Sequence, residues 1–211
     1  MSNKRTLTAA RRETIRDAAK RLFSEHGLAR TSVRDISREA GYTTGALYFH
    51  YRSKKDLYAD ILKASLARLF ARVLDAAGAH TDSLASLGAA FRAFVDFYDE
   101  HPRDLDLSLY LMQGTRPLGL TAALDRELNA SLMDTLEVFR ARLSDLGVGP
   151  KDLDTEVGLL LADMIGVLVT AHTGRLRVVG TDLARVVGRQ VDHLRIMRDS
   201  SPAGASASRR R

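Results

Sequence analysis

One stretch, Thr31 to Leu57, limits what this chain can fold into more than any other: TSVRDISREAGYTTGALYFHYRSKKDL. It reads as two short helices joined by a tight turn, followed at once by the start of a third. Thr31 and Ser32 can cap the first helix, whose apolar positions Val33, Ile36 and Ala40 recur at helical spacing. Gly41 supplies the left-handed residue that ends it. Thr43 stands where an N-cap would start the second helix, with Leu47 facing inward and Thr44, Tyr48 and His50 outward. Two helices across a short turn containing Gly, here about residues 32–51, make a helix-turn-helix, whose second helix enters the DNA major groove. Ser53-Lys54-Lys55-Asp56 then forms a capping box with Asp in place of the usual Glu. It opens a helix with lysines on its first turn, where backbone N–H groups and side-chain charge both suit a phosphate.

Charge is distributed to match. Residues 1–56 hold 13 Lys/Arg against 6 Asp/Glu, whereas residues 57–211 hold 19 against 20. A charge run alone is usually a solvated face. This one coincides with the helix-turn-helix, and a basic module on a mildly acidic body is the electrostatic footprint of a nucleic-acid binder. Other classes find little support. The chain has no cysteine, which removes disulfides, thiol catalysis and thiolate metal sites. Its start is polar and basic, and no stretch approaches the roughly 18–20 apolar residues of a membrane span, so a cytoplasmic protein without membrane attachment is expected. No phosphate-cradling Gly-rich loop and no HExxH occurs. Glu100-His101 with Asp104 and Asp106, around Pro102, come nearest to a catalytic cluster. The chain is expected not to be an enzyme and to use no cofactor or metal.

Taken in order, residues 1–8 suggest a flexible basic arm, and a first helix is expected from about Ala9 to His26, closed by Gly27. Its stripe Ile15, Ala18, Ala19, Leu22 and Phe23 leaves Arg11, Arg12, Arg16, Lys20 and Arg21 largely off the apolar face. Phe23 is expected in a small core with Ile36, Leu47 and Tyr51. The helix from Ser53 continues to about Ala77. Another runs from Thr81 or Asp82 to about Glu100, Pro102 interrupts, and Leu105 to Met112 forms a short apolar piece. Gly114, Pro117 and Gly119 mark a loop. Long helices follow at about 120–146, 152–173 and 181–198. The predicted fold is all-α, with about nine helices and no strand pattern. It divides into an N-terminal three-helix DNA-binding domain (9–69), a larger helical domain (70–199) and a disordered low-complexity tail (200–211). The helix after Asp152 is apolar almost all round, so it must be covered on several sides. Gly158, Ala162 and Gly166, four apart, make a smooth strip along it. Asp163 is the polar residue inside that run, and it either pairs with an Arg across an interface or orients a ligand.

The first third of the chain resembles the TetR family of bacterial transcriptional regulators. The resemblance rests on Thr31-Ser32-Val33-Arg34-Asp35-Ile36, Glu39-Ala40-Gly41, Gly45-Ala46-Leu47-Tyr48, His50-Tyr51, Ser53-Lys54 and Leu57, with Leu22-Phe23 and Gly27 before them. Tyr51 departs from the more frequent Phe, and Phe49 puts an aromatic in a variable slot. Past Phe70 no family signature is visible. The resemblance implies base contacts from Thr43 and Thr44, with Arg34 a candidate for guanine through its bidentate fork. It implies phosphate contacts from Tyr48, His50 and Lys54, which position without reading sequence. The bland alternatives are a packing aromatic for Tyr48, a surface histidine for His50 and a solvated Lys55.

For the body, the resemblance implies a ligand pocket with Phe91, Phe94, Tyr98, Tyr110, Met112, Met133, Met164 and His172 as lining candidates, although any of them could be plain core. It further implies a homodimer interface through Gly158, Ala162, Gly166, Leu183, Val187, Val191 and Leu194, the alternative being an intrachain core. The expected function is a DNA-binding repressor that binds a palindromic operator as a homodimer and is released by a small hydrophobic effector of unknown identity. The alternatives are a TetR-like DNA-binding protein controlled by a protein partner or without an effector, and an activator.

Overall fold

The computed structural model describes the backbone of residues 2–110 and 120–200 and the side chains of residues 9–109 and 120–194. Ten helices and no strand occur among the described residues. The first four are α1 (Ser2–Arg30), α2 (Val33–Ala40), α3 (Thr44–His50) and α4 (Lys54–Gly78). Then come α5 (Ser83–Glu100), α6 (Pro102–Tyr110), α7 (Ala122–Asp145) and α8 (Leu153–His172), and finally α9 (Arg175–Val178) and α10 (Leu183–Ser200). No helix among the described residues is long and apolar enough to cross a membrane.

Local chemistry explains the first boundaries. Gly27, at φ 76°, leaves the helical region inside α1, and the last residues of that helix turn toward α2. The Thr31 hydroxyl is buried and donates to the carbonyls of Leu22 and Gly27, which fixes this corner. Ser32, not Thr31, caps α2: its hydroxyl accepts from the Asp35 N–H while the Asp35 carboxylate accepts from the Ser32 N–H. Gly41 ends α2 at φ 70°, a conformation that costs a side-chain-bearing residue about 1–2 kcal/mol. Thr43 caps α3 through the Ala46 N–H, and Ser53 caps α4 through the Asp56 N–H.

Two expectations need correction. The backbone is helical from Ser2, so the segment expected as a flexible arm opens α1. Pro102 begins α6 instead of interrupting the chain, because the first helical position needs no N–H. Among the described residues the short α9 is introduced by Gly174 in a left-handed conformation. Met112, the loop around Pro117 and the tail from 201 lie outside the described residues. The tail was expected from 200, but α10 includes Ser200.

The chain forms two compact units, Met1–Ala67 with His101–Ser131, and Arg68–Glu100 with Leu132–Arg211. The first thus takes in a segment that a division at residue 70 assigns to the body. Its core gathers Ile15, Phe23, Ile36, Leu47, Tyr51, Leu57 and Tyr58. Phe23 and Tyr58 meet with ring centroids 5.4 Å apart. The central segment is tied in by polar contacts. Lys20 bonds to Asp104 at 2.5 Å, with Asp104 only 1% exposed. The Tyr58 hydroxyl donates to the Leu107 carbonyl and the Lys55 ammonium to that of Leu120.

In the second unit Phe94 packs against Tyr98 and Phe139 at 5.3 and 6.5 Å between centroids, and Phe91, Met164 and Leu168 are buried in the same unit. Asp163 accepts a hydrogen bond from the Gln190 amide, a partner within the chain. Val187 is buried inside this unit, and the Val191 side chain lies 2.9 Å from where a Cβ on Gly88 would stand. Both were expected on a dimer interface. Val191, half-buried, packs on α5 at Gly88.

Leu47 is the fully buried anchor of α3. Replacing it with Ala should cost about 2–5 kcal/mol. Chemical denaturation followed by circular dichroism would check this as a lowered midpoint.

Candidate nucleic-acid interface

α3 has seven residues, so its rotation decides which side chains can meet a partner. With Leu47 buried, a period of 3.6 residues places Gly45 and Phe49 directly opposite it. Thr44 and Tyr48 flank that ridge on one side, Ala46 and His50 on the other. Exposure agrees: Phe49 is 82% exposed and Tyr48 52%, while Thr44 and His50 are half-buried. The outermost side chain is therefore Phe49, and the residues expected to face outward form its shoulders. The His50 ring stands edge-on to Phe49, with centroids 5.2 Å apart.

The other expected residues surround this helix. Thr43 is exposed, but its hydroxyl is engaged in the cap of α3. Arg34 is exposed on the first turn of α2. Lys54 is turned toward the end of α1, where its ammonium donates to the carbonyls of Leu28 at 2.5 Å and Thr31 at 2.7 Å. Burial there pushes its pKa below the ordinary lysine value. Arg11 and Tyr42, which sequence reasoning did not single out, line a hollow of about 320 Å³ with Ile15, Ala46, Phe49 and His50. Arg11 lies 31 residues before Tyr42, and no local pattern announces that they meet.

A polar network fixes α3 from behind. Tyr51 follows α3, and its N–H bonds to the Leu47 carbonyl. Its hydroxyl donates to Asp60 at 2.7 Å and accepts from the Arg12 Nε at 3.1 Å. Asp60 on α4 also receives two bonds from Arg16, at 2.7 and 2.9 Å, and one from Arg12 at 2.8 Å. The Arg12 guanidinium lies 5.5 Å from the Tyr51 ring centroid, within cation–π range. Burial alone would raise the Asp60 pKa, but the hydrogen bonds from Arg16 and Tyr51, with the charges of Arg16 and Arg12, hold it below the usual carboxylate range. Burial, with its bond to Asp60, pushes the Tyr51 phenol up, so it remains a donor. The sequence indicated an aromatic core role for Tyr51 but not this use of its hydroxyl.

Residues 15–61 match the family described as bacterial regulatory proteins, tetR family. This segment is therefore a TetR-type DNA-binding domain. Among its TetR-type relatives, the transcriptional repressor KstR2 of Mycobacterium tuberculosis is 35% identical over 92 residues, 44% of this chain and 46% of that protein. The chain thus spans about half the length of such relatives. The transcriptional activator FasR of Mycolicibacterium smegmatis is 28% identical over 153 residues, 69% of this chain and 70% of FasR. Among solved structures, FadR from Bacillus subtilis in complex with stearoyl-CoA superposes with a TM-score of 0.70 at 16% identity, covering 86% of this chain and 96% of that one. At that identity the likeness concerns the fold alone.

The candidate lining residues of the TetR-type body are dispersed in exposure. Phe91, Phe94, Tyr98 and Met164 are buried, whereas Met133 is exposed and His172 stands at the surface 3.5 Å from Asp99. The Tyr110 side chain and all of Met112 lie outside the described residues. A groove of about 570 Å³ in the same unit is lined by other residues, including Arg72, His80, Ala85, Arg92 and Asp96.

Asp60→Ala would leave two guanidinium groups and a phenol without their acceptor, and should destabilise the first unit by about 2–3 kcal/mol, less than a fully buried pair would. The pH dependence has a definite sign. Because the folded-state pKa is depressed, the contribution is full above the ordinary Asp value of about 4 and is lost as pH falls through the folded value. Denaturation midpoints followed from about pH 7 into acid below the ordinary Asp value should fall more steeply for the wild type than for the variant.

Proposed function

We propose that the chain is a transcriptional repressor that binds a palindromic operator in double-stranded DNA as a homodimer and is released by a small hydrophobic effector. The observation that carries this reading is α3 itself. It is capped, locked from behind through Tyr51 and Asp60, and presents a ridge without acidic side chains on the most basic part of the chain. In this proposal Thr44, with Thr43 and Arg34, reads base edges. Tyr48 and His50 contact phosphates, and Lys54 adds positive charge at the opening of α4.

Dimerisation is supported by the outer face of α8. Gly158, Ala162 and Gly166 are exposed one turn apart beside exposed Leu159, and a Cβ on either glycine would meet nothing within 4 Å. A helix of a second copy can approach such a strip closely, and half-buried Leu183 and Leu194 of α10 are proposed to join that interface. Two-fold pairing also suits the short α3, which reaches too few bases alone, whereas a dimer reads two half-sites. For the effector, the stearoyl-CoA held by the structural neighbour makes a fatty acyl-CoA the class to examine first. Phe91, Phe94, Tyr98 and Met164, with Tyr110, Met112, Met133 and His172, are the proposed lining. Such a ligand acts by binding more tightly to the conformation that does not fit the operator, and its leverage is limited to that difference in affinity. A second reading, activation, is favoured by the similarity to FasR; the sign depends on where the operator lies.

Fluorescence anisotropy against the DNA upstream of the chain's own gene, at several salt concentrations, tests the proposal. Tight binding of a palindromic segment is expected, falling about 10³–10⁵-fold between 50 and 200 mM salt if six to ten phosphates are contacted. Thr44→Ala and Tyr48→Phe should each weaken it without changing the unfolding midpoint. Binding indifferent to sequence there, together with failure to enrich any sequence from random duplexes, would overturn the regulator reading. Ala162→Glu places a charge on the α8 strip and should yield a folded monomer in sedimentation with little operator affinity; an unchanged dimer would exclude this face.

A further inference from the structure

We propose that Phe49 reads the 5-methyl group of a thymine in the major groove, making it a specificity-determining residue of the operator contact. The inference rests on the DNA-binding reading above and names one chemical group that the reading leaves open.

The geometry of α3 is the starting point. Phe49 stands opposite buried Leu47 and is 82% exposed, the farthest-projecting large side chain of the helix. One turn before it on the same ridge is Gly45, which has no side chain; a Cβ there would meet only the Thr43 hydroxyl oxygen, at 3.9 Å. The ridge therefore consists of a bare backbone patch followed by a phenyl ring. A surface of that form can bring the helix axis close to a groove floor at Gly45 and set the ring against whatever lines the groove at Phe49.

The chemistry of the ring then selects the target. Phenylalanine has no donor or acceptor, so it cannot discriminate by hydrogen bonding. In the major groove the one apolar group on a base edge is the thymine methyl, and apolar side chains distinguish T from C through it. Phosphate contacts are better served by groups on the shoulders, where Tyr48 carries a hydroxyl and His50 a ring nitrogen. The hollow behind Phe49, with Arg11 and Tyr42 on its lining, offers room and positive charge for a strand backbone beside the ring. His50, edge-on at 5.2 Å, narrows the range of ring orientations and so lowers the entropy lost on contact. An apolar protein partner is the other class of occupant for an exposed ring, but the +7 balance of residues 1–56 and the absence of acidic residues from α3 favour DNA.

The test uses the full chain and an operator enriched from random duplexes. Each thymine is replaced singly by deoxyuridine, which removes the methyl and leaves the hydrogen-bonding edge intact, and affinities are measured for wild type, Phe49→Ala and Phe49→Leu. One thymine in each half-site should cost the wild type about fourfold when demethylated, and both together about fifteenfold, the value of burying one methyl group each. The same replacements should cost Phe49→Ala nothing, while Phe49→Leu, which keeps apolar surface, should retain part of the penalty. Unfolding midpoints should be unchanged, since the side chain is exposed. If no thymine shows a penalty that Phe49→Ala removes, the proposal is overturned while the regulator reading stands. If Phe49→Ala weakens thymine and uracil operators equally, the ring contacts the backbone and the proposal is again overturned. If the wild type enriches no sequence, the regulator reading fails and this inference with it.

Discussion

Asp60 accepts hydrogen bonds from Arg12, Arg16 and Tyr51, three side chains from two separate segments of the N-terminal unit. Arg12 and Arg16 lie one turn apart on α1, Tyr51 terminates α3, and Asp60 sits on the second turn of α4. The carboxylate therefore joins the scaffold helix, the end of the recognition helix and the start of the long helix that follows. Burial of Leu47 sets which face of α3 turns inward, but apolar contact is non-directional and holds that orientation loosely. A bidentate guanidinium and a phenol with defined acceptors do impose direction. The exposed ridge of Gly45 and Phe49 follows from the burial of Leu47 opposite it and is held by this network.

The same network alters how the basic charge of this unit is to be understood. Arg12 and Arg16 contribute to the +7 balance of residues 1–56, yet both are paired with Asp60. Lys20 is bonded to buried Asp104, and Lys54 is turned onto carbonyls of the α1–α2 corner. Much of the cationic surplus thus serves as internal fastening. It still contributes a long-range field that attracts a polyanion, but short-range contacts fall to fewer groups, with Arg34 exposed and Arg11 lining the hollow beside α3. The Lys20–Asp104 bond also explains why α6, remote in sequence, belongs to this compact unit.

The local order of the first 60 residues was legible because it is written in short-range signals. Ser32 with Asp35, Gly41, Thr43, and Ser53 with Asp56 each act within three or four residues, and each falls where the spacing predicts. The helical periodicity of the body was equally plain. What the sequence did not convey is which distant side chains meet. Tyr51 as a hydroxyl partner of Asp60, Asp104 as the acceptor for Lys20, and Arg11 beside Tyr42 all depend on how helices pack. Asp163 was recognisable as a polar residue in an apolar run, but its Gln190 partner was not, because a one-chain pattern carries no pairing information. Val191 shows a related gap: the stripe of α10 was plain, but its approach to Gly88 on α5 was not. Pro102 was ambiguous for a different reason, since proline both ends and begins helices.

The central claim is that two copies present their α3 helices to successive turns of one DNA face. Hydroxyl-radical footprinting of the enriched operator addresses it directly, because cleavage reports every sugar that a protein covers. Two protected windows of equal depth are expected, related by two-fold symmetry and separated by about 10–10.5 base pairs or a multiple of that. A single asymmetric window, or uniform weak protection without a centre of symmetry, would contradict the claim.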